Sequence, residues 1–397
     1  MKILWITQES ILPANTGGRI GVFKRLEQLS KTEEIYLFYP YDNEDELAQI
    51  PELKKYCAEV HAYSRKKNKL NAIKLLYKYP YTVGSRCIKE MQKDILTCIE
   101  KHNIDIINVD FPHLCVNLLN LNLSLPIVLN EHNIEWMLYR QISRSQSSLL
   151  KKLAYYVDSF RLKSYEKMIL KEIPIKAFTF VSDKDKKIFI DEHGIKKDIC
   201  FDVPVGSDIR NIKNKQPSDT KSIIFVGKMS YGHNEEAAEW FAKKIFPKIM
   251  EKISNVKFYI VGKEPSEKLK MLASENVIVT GSVDSVESYY EAADLVVIPL
   301  QNGGGVKVKL LEAISFSKPI VSTSVGVEGT IYAQNNTIPI ADDEVSFASC
   351  CIDALNRKGD GISSEAYKVF LEQYTWEGIC RKYRKILEVS ANRYKIV

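Results

Sequence analysis

The chain has 397 residues, 45% of them hydrophobic and 27% charged, which is too long for one ordinary core and has the composition of a folded soluble protein of two domains. Its net charge of +6 is uneven, because residues 1–202 hold 31 basic and 26 acidic side chains and the remainder 25 and 24. The basic half suits an anionic partner such as a lipid surface or a phosphate group, and with no nucleic-acid module visible the expectation is no nucleic acid.

The start, "MKILWITQES", has too short an apolar run for a signal peptide's core. The longest uncharged run, "FPHLCVNLLNLNLSLPIVLN", is broken by asparagines and prolines and does not read as a spanning helix. Eight cysteines lie without C-x-x-C pairs. They read as free thiols in a reducing cytoplasm, not as a disulfide framework or a zinc site.

In chain order, short apolar β-rich runs alternate with helical patterns. The first half contains "KILWIT", "EIYLFYP", "AEVHAYS", "IDIINVD", "PIVLN", "AFTFVS" and "DICFDVP". Residues 60–89 interrupt this series with eight Lys or Arg and no acid. There Leu70, Ile73 and Tyr77 follow helical spacing among lysines, as suits an interfacial helix on an anionic bilayer or a solvated basic face. "SDKDKK" contains Asp183–x–Asp185, a metal-binding look-alike; Ser182 followed by two acids more simply caps a helix, so no catalytic metal is expected.

The polar, aperiodic stretch 204–221 reads as a linker. Beyond it come "SIIFVG", "VKFYIVG", "VIVTG", "LVVIPL" and "PIVST", with a helical pattern in "NEEAAEWFAKKIFPKIMEKI". Continuous rather than alternating apolar runs belong to strands covered on both faces, so the fold class is α/β, a doubly wound Rossmann-like sheet met twice. The expected domains are 1–205 and 206–374, followed by a final helix, 375–397, with Thr375 at its N-cap.

Ligands of such sheets bind beyond the carboxyl ends of the strands. After "LVVIPL" come Gly303, Gly304 and Gly305, then a helix expected to start near Val306. Strand, glycine turn and helix N-terminus make an anion site suited to a diphosphate, although a plain tight turn also uses glycine. Gly305, Lys309 and Glu312 share a helix face. Lys309 suits a phosphate and Glu312 the hydroxyls of a ribose. The alternative is an exposed Lys–Glu pair worth about 0.2–0.5 kcal/mol.

"GGGVKVKLLEAISFSKPIVSTSVGVEG" resembles the nucleotide-sugar site of family 4 of the retaining glycosyltransferases, the group 1 family with the GT-B fold. "FVGKMSYGHNEEAAEWF", "FYIVGKEPSEKL" and "VIVTGSVDSVESYYEAADLVVIPL" follow that family's order. The resemblance covers residues 222–388 and reaches the first half through "PANTGGRIGVFKRLEQLS" and "NEHNIEW". It implies two domains facing across a cleft and a final helix crossing back to the first. It implies that Glu312 holds the donor ribose and that Lys309 and Lys228 meet the phosphates. Gly303, Gly304, Gly305 and Lys307 join them, and Val283 lies near the base. Two departures stand out. Gly304 occupies the position where many members carry a sugar-binding glutamate, and Asn234 lies where a second phosphate lysine is common.

In the first half the resemblance makes Gly17, Gly18 and Arg19 a lip of the cleft near sugar and acceptor; a loop with a solvated arginine is the plainer alternative. It makes His132, beside Asn133 and just past "PIVLN", the candidate active-site histidine; the i+3 spacing offers Glu135 as its orienting partner, and His113, after another strand, is a weaker rival. A lone histidine is otherwise more often structural. The implied activity is transfer of a sugar from a nucleoside diphosphate donor to a glycan or lipid-linked acceptor, without a cofactor, in cell-surface polysaccharide or glycolipid synthesis. The implied location is cytoplasmic, peripheral on the inner face of the membrane. A nucleotide-sugar epimerase and a degenerate sugar-nucleotide-binding subunit remain alternatives. A redox Rossmann protein fits worse, since the first βα turn lacks G-x-G-x-x-G.

Overall fold

A computed structural model describes residues 1–14, 17–66, 69–146, 148–210, 219–302, 307–357 and 361–395. The chain forms two compact units, Met1–Pro204 with Ile379–Val397, and Val205–Gly378. Every one of the twelve apolar runs of the sequence becomes a strand, and every strand pairing is parallel.

The first unit holds β1 (Lys2–Ile6), β2 (Glu34–Tyr41), β3 (Glu59–Ser64), β4 (Ile106–Asp110), β5 (Ile127–Glu131), β6 (Ile175–Phe180) and β7 (Cys200–Asp202), in the order β3-β2-β1-β4-β5-β6-β7. Alternate residues of one strand enter opposite cores. Leu4, Ile6, Tyr36 and Phe38 pack on one face, and Ile3, Trp5, Ile35, Leu37 and Tyr39 on the other. Two apolar faces require two helical layers, which is why the runs do not alternate with polar residues. The order reverses between β1 and β4, the switch point where such sheets bind ligands.

Part of the second face is covered from the far end of the chain. The final helix Trp376–Lys395 lays Ile379, Tyr383, Ile386, Leu387 and Ala391 into that core. Thr375 caps it, its Oγ1 accepting from Gly378 N at 3.1 Å. Tyr383 is fully buried, its hydroxyl 2.7 Å from Asn108 Oδ1 and 2.9 Å from Asn130 Oδ1. Asn130 Nδ2 donates to Asn108 Oδ1 at 2.9 Å, and Thr179 donates to Asn130 Oδ1 at 2.6 Å. A polar chain inside the sheet thus ties β4, β5 and β6 to the last helix, with the hydroxyl desolvated but bonded.

The second unit holds β8 (Lys221–Val226), β9 (Val256–Val261), β10 (Val277–Gly281), β11 (Leu295–Ile298) and β12 (Ile320–Ser322), in the order β10-β9-β8-β11-β12. Its switch point lies between β8 and β11. Of the linker stretch, 211–218 lie outside the described residues, and Lys221 already belongs to β8. The helical pattern after β8 is one helix in the sequence but three segments here: Gly232–Trp240, a π-turn Phe241–Ile245, and Phe246–Met250. The wider turn lies just ahead of Pro247, which has no N–H for the carbonyl four residues back.

Tyr383→Phe should destabilise the first unit by about 1–1.5 kcal/mol, the net worth of a buried hydrogen bond. Hydrogen exchange should quicken at β4 and β5 amides and stay unchanged at β8 and β11. Equal acceleration in both units would show that the hydroxyl does not act through this network.

Candidate functional site

The carboxyl end of β8 is built around close backbone approach. Gly262, with φ +150°, faces Gly227 so closely that a Cβ on it would lie 1.7 Å from the Gly227 carbonyl oxygen. A Cβ on Gly227 would in turn meet Asn234 Nδ2 and Lys309 Nζ, each at 3.0 Å. The missing side chain at Gly262 admits the Gly227 backbone, and the one at Gly227 leaves room for a lysine ammonium.

That lysine is Lys309, on the helix Val308–Ser315. Its Nζ donates to Asn234 Oδ1 at 2.6 Å and sits 4.3 Å from the centre of the Phe225 ring. Asn234 is buried and spans the gap, its Nδ2 donating to the Lys228 carbonyl at 2.8 Å. Burial pushes the Lys309 ammonium down to about 7; Glu312 opposes the shift and Lys307 adds to it. The ammonium therefore has a neutral acceptor and an aromatic face, but no ion pair within 4 Å among the described residues.

Lys307, also largely buried, has its Nζ 4.0 Å from Glu328 Oε2. The nearby His233 is held below its ordinary ionisation by burial and by both lysines. Basic groups thus gather beside the N-terminus of the Val308–Ser315 helix, whose dipole adds to the positive field. Gly303, Gly304, Gly305 and Val306 lie outside the described residues. The helix itself begins at Val308, two residues later than expected, with Lys307 at the N-cap position.

Glu312 does not pair with Lys309. It accepts from the Tyr290 hydroxyl at 3.3 Å, and Tyr290 stacks on Phe316 with ring centres 4.9 Å apart. Burial raises the Glu312 carboxyl above its ordinary range; Tyr290, Arg210 and Lys309 oppose that rise. The surface Lys–Glu pair considered from the sequence is therefore not formed. Helical spacing put both residues on one face, but burial gave each its own partner. Lys228 stands apart from both: half exposed, its Nζ lies 3.2 Å from Glu264 Oε2. Val283 lies in the loop after β10, packed partly against the core.

In the first unit, His132 lies just past β5, its ring stacked on Phe111 at 4.3 Å between centres. Its Nε2 lies 2.9 Å from Asp110 Oδ1, at the end of β4. A carboxylate only accepts, so a neutral His132 carries its proton on Nε2 and its lone pair on Nδ1. Asp110, not Glu135, orients the ring. Asp110 is fully buried and also accepts from Arg25 Nη2 at 3.0 Å and from Trp5 Nε1. Burial alone drives its carboxyl up, but Arg25, His132 and Trp5 together hold it below the ordinary range. Glu135 sits elsewhere, its carboxyl pushed up to about 7 by burial and by Glu166. His113 is buried with neither ring nitrogen bonded, and burial, Arg86 and Arg65 push its ionisation well down.

Asn133 is exposed beside His132. Thr16 lies outside the described residues, while Gly17 and Gly18 open the helix Gly17–Leu29. No neighbour lies within 4 Å of a Cβ on Gly18. Arg19 is not solvated; it is largely buried and paired with Glu9 and with Glu46, the latter at 2.9 Å. At the metal look-alike, Asp183 pairs with Lys186 and Lys187, and Ser182 caps the helix Asp183–His193. Among the described residues no group of three His, Cys, Asp or Glu side chains could hold a metal ion. Asp110, Arg25 and Tyr290 carry no motif that the sequence alone reveals.

Residues 220–357 match the model of the family described as Glycosyl transferases group 1. The chain is 26% identical over 384 residues to an uncharacterized 44.6 kDa protein in the cps region of Klebsiella pneumoniae, covering 93% of this chain and 94% of that one. It also resembles a glycosyltransferase structure from Rickettsia africae, with a TM-score of 0.64, 12% identity and 98% of each chain covered. The HepE structure from Anabaena, solved in complex with UDP, aligns with a TM-score of 0.60 and 14% identity over 98% of this chain and 100% of that one. At these identities the structures establish the fold, which is GT-B.

The buried amine makes stability depend on pH. Between about pH 7 and the ordinary lysine value of 10.5, the unfolded chain holds a proton at Lys309 that the folded protein does not. The contribution of Lys309 to the stability of the free protein should therefore rise across that window. Carbon NMR of the lysine ε positions should show one group titrating near pH 7, absent in Lys309→Met. A Lys309 signal titrating above pH 10 would refute the buried environment.

Proposed function

We propose that the protein is a retaining glycosyltransferase that moves a sugar from a nucleoside diphosphate sugar to a glycan or lipid-linked acceptor in cell-surface polysaccharide synthesis. The observation that carries this reading is the separation of Lys309 from Glu312 on one helix at the carboxyl edge of the second sheet. A buried ammonium without an anion and a buried carboxylate held by a tyrosine suit two different parts of one ligand. The family match over residues 220–357 supports the class, and HepE is a fold relative solved with UDP. The cps-region relative supports a polysaccharide pathway.

In this reading Glu312 accepts the ribose hydroxyls. Lys309, Lys307 and the amides of Gly303, Gly304 and Gly305 receive the diphosphate, with Lys228 swinging from Glu264 and Val283 near the base. As the bond from sugar to phosphate breaks, negative charge grows on the leaving oxygen, and the lysines stabilise it. Retention follows if the acceptor hydroxyl attacks on the face the diphosphate leaves, passing its proton to a departing phosphate oxygen. His132, fixed by Asp110, presents Nδ1 to the sugar or acceptor, with Gly17, Gly18, Arg19 and Asn133 along the same edge of the first sheet. Donor conversion without acceptor would instead identify an epimerase, and binding without turnover a non-enzymatic subunit.

The two helix residues should separate experimentally. Lys309→Ala should lower turnover more than donor binding, since its interaction strengthens in the transition state. Glu312→Gln should mainly weaken nucleotide binding, by about 1.5–3 kcal/mol. The dianionic neighbour should recharge Lys309, so donor binding should take up a proton above pH 7 and weaken by up to about tenfold per pH unit. Assays of UDP-, GDP- and ADP-sugars with both variants check this; parent-like behaviour of both would refute the assignment.

We also propose that the protein docks on an anionic membrane at the inner face. Within the basic stretch 60–89, Ile73 and Tyr77 are 59% and 85% exposed; the Leu70 side chain lies outside the described ones. The helix Leu149–Glu172 exposes Leu149, Leu150, Leu153, Tyr156, Val157 and Phe160, which share one face. Arg161 ties the two segments, donating to the carbonyls of Leu76 and Tyr79. Lys74, Lys78, Lys151 and Lys152 supply charge, at about 1 kcal/mol per basic residue near an anionic surface. No helix among the described residues is long and apolar enough to cross a membrane. The parent should sediment with anionic vesicles at low salt and not with neutral ones. The double variant Leu150→Glu/Leu153→Glu should lose this while binding nucleotide normally; equal recovery with both vesicle types would refute docking.

A further inference from the structure

The carboxyl edge of the first sheet carries a second polar feature, apart from the His132–Asp110 group. A cavity of about 120 Å³ is lined by Gln8, Glu9, Asp42, Glu46, Arg65 and Arg86. Its walls come from strand ends: Gln8 and Glu9 follow β1, Asp42 follows β2, and Arg65 follows β3. This is the edge at which parallel sheets hold ligands.

The charges around it, three acids and the three guanidinium groups of Arg19, Arg65 and Arg86, balance in number but not in pairing. Asp42 is gripped by Arg65, whose Nε lies 3.0 Å from Oδ1 and whose Nη2 bonds Oδ2. Glu9 and Glu46 are both held by Arg19. Each of the three acids therefore has a guanidinium. Among the described residues Arg86 has no acid: Nη1 donates to the Thr82 carbonyl at 3.0 Å and to Thr82 Oγ1 at 2.9 Å, and Nε is buried without an acceptor. Burial, and then the neighbouring Arg65, pull Arg86 down to about 10. Behind it, buried His113 leaves both ring nitrogens unbonded and feels both arginines. A desolvated guanidinium beside a second cation and an open polar cavity lacks one thing, an anion.

We propose that this cavity binds an oxoacid group, a carboxylate or a phosphate, and that the acceptor is therefore an acidic glycan or a phosphate-bearing molecule. The guanidinium of Arg86 receives the oxyanion through the donors that Thr82 does not use, while Arg65 stays with Asp42 and adds field. Gln8 offers an amide to a further oxygen. The acceptor identity rests on the transferase reading; the anion site does not, and the two fail separately.

Isothermal titration of the full chain with methyl glucuronide, methyl phosphate and neutral methyl glucoside tests the site. Binding of the glucuronide favours a sugar carboxylate, and binding of methyl phosphate favours a phosphate-bearing acceptor. Methyl glucoside should bind to neither measure. Arg86→Met should weaken the anion at least about tenfold, the effect of one lost charged hydrogen bond. UDP affinity should not change, because Arg86 touches no proposed donor residue. Gln8→Glu keeps Arg86 in place but supplies an internal carboxylate, and should abolish anion binding in a protein that still melts like the parent. If methyl glucoside binds as well as both anions, if no anion binds, or if Gln8→Glu binds anions like the parent, the proposal is overturned. Anion binding without any UDP binding would leave the site standing and remove the transferase reading instead.

Discussion

Everything in this protein follows from covering both faces of a parallel sheet. Once helices lie on each face, side chains along the strands are sealed in, and only the strand ends remain open to ligands. The residues with unusual environments accordingly lie at carboxyl edges: Asp110 and His132 after β4 and β5, and Gly227 and Lys228 after β8. The covering also explains the final helix, which supplies Tyr383 and its apolar neighbours to a face that would otherwise lie open.

Arg25, Lys309 and Arg86, three cations at these edges, are treated differently. Arg25 is matched by Asp110, and the pair holds both groups charged. Lys309 is offered an amide oxygen and a ring face, which compensate a lost hydration shell only in part, so its proton is held weakly. Arg86 keeps its charge because a guanidinium loses a proton so reluctantly, yet among the described residues it finds only a hydroxyl and a carbonyl. A paired charge orients its neighbours, as Asp110 does His132. An unpaired one stores unfavourable solvation energy that an arriving anion relieves. In the proposed reading that difference separates residues that position from residues that receive.

The two units are alike in topology but not in this respect. In the second, glycines at 227 and 262 bring backbone and lysine together, and the polar groups act through Asn234. In the first, glycine plays little part: Gly18 has open space around its missing side chain, and ion pairs among Arg19, Arg25, Arg65 and their acids shape the edge.

The sequence by itself determined the strands. Each of the twelve apolar runs is a local property, since a strand covered on both faces is apolar at most positions, with the few polar exceptions such as Asn108 and Asn130 bonded inside the sheet. It also determined that Lys309 and Glu312 share a helix face, because helical period is local too, and that Thr375 and Ser182 cap helices. Only the tertiary structure decided what those residues touch. Asp110 lies 22 residues from His132 and 85 from Arg25 in the chain, and strand pairing brings them within hydrogen-bond range. The i+3 spacing suggested Glu135 as the partner of His132, but the strand order placed Asp110 there. Helical spacing left an exposed pair of Lys309 and Glu312 as the alternative to a ligand site, and Asn234 and Tyr290, 75 and 22 residues away, took the two separately. Burial and electrostatic partnership are sums over neighbours in space, and a linear pattern carries no record of which neighbours those will be.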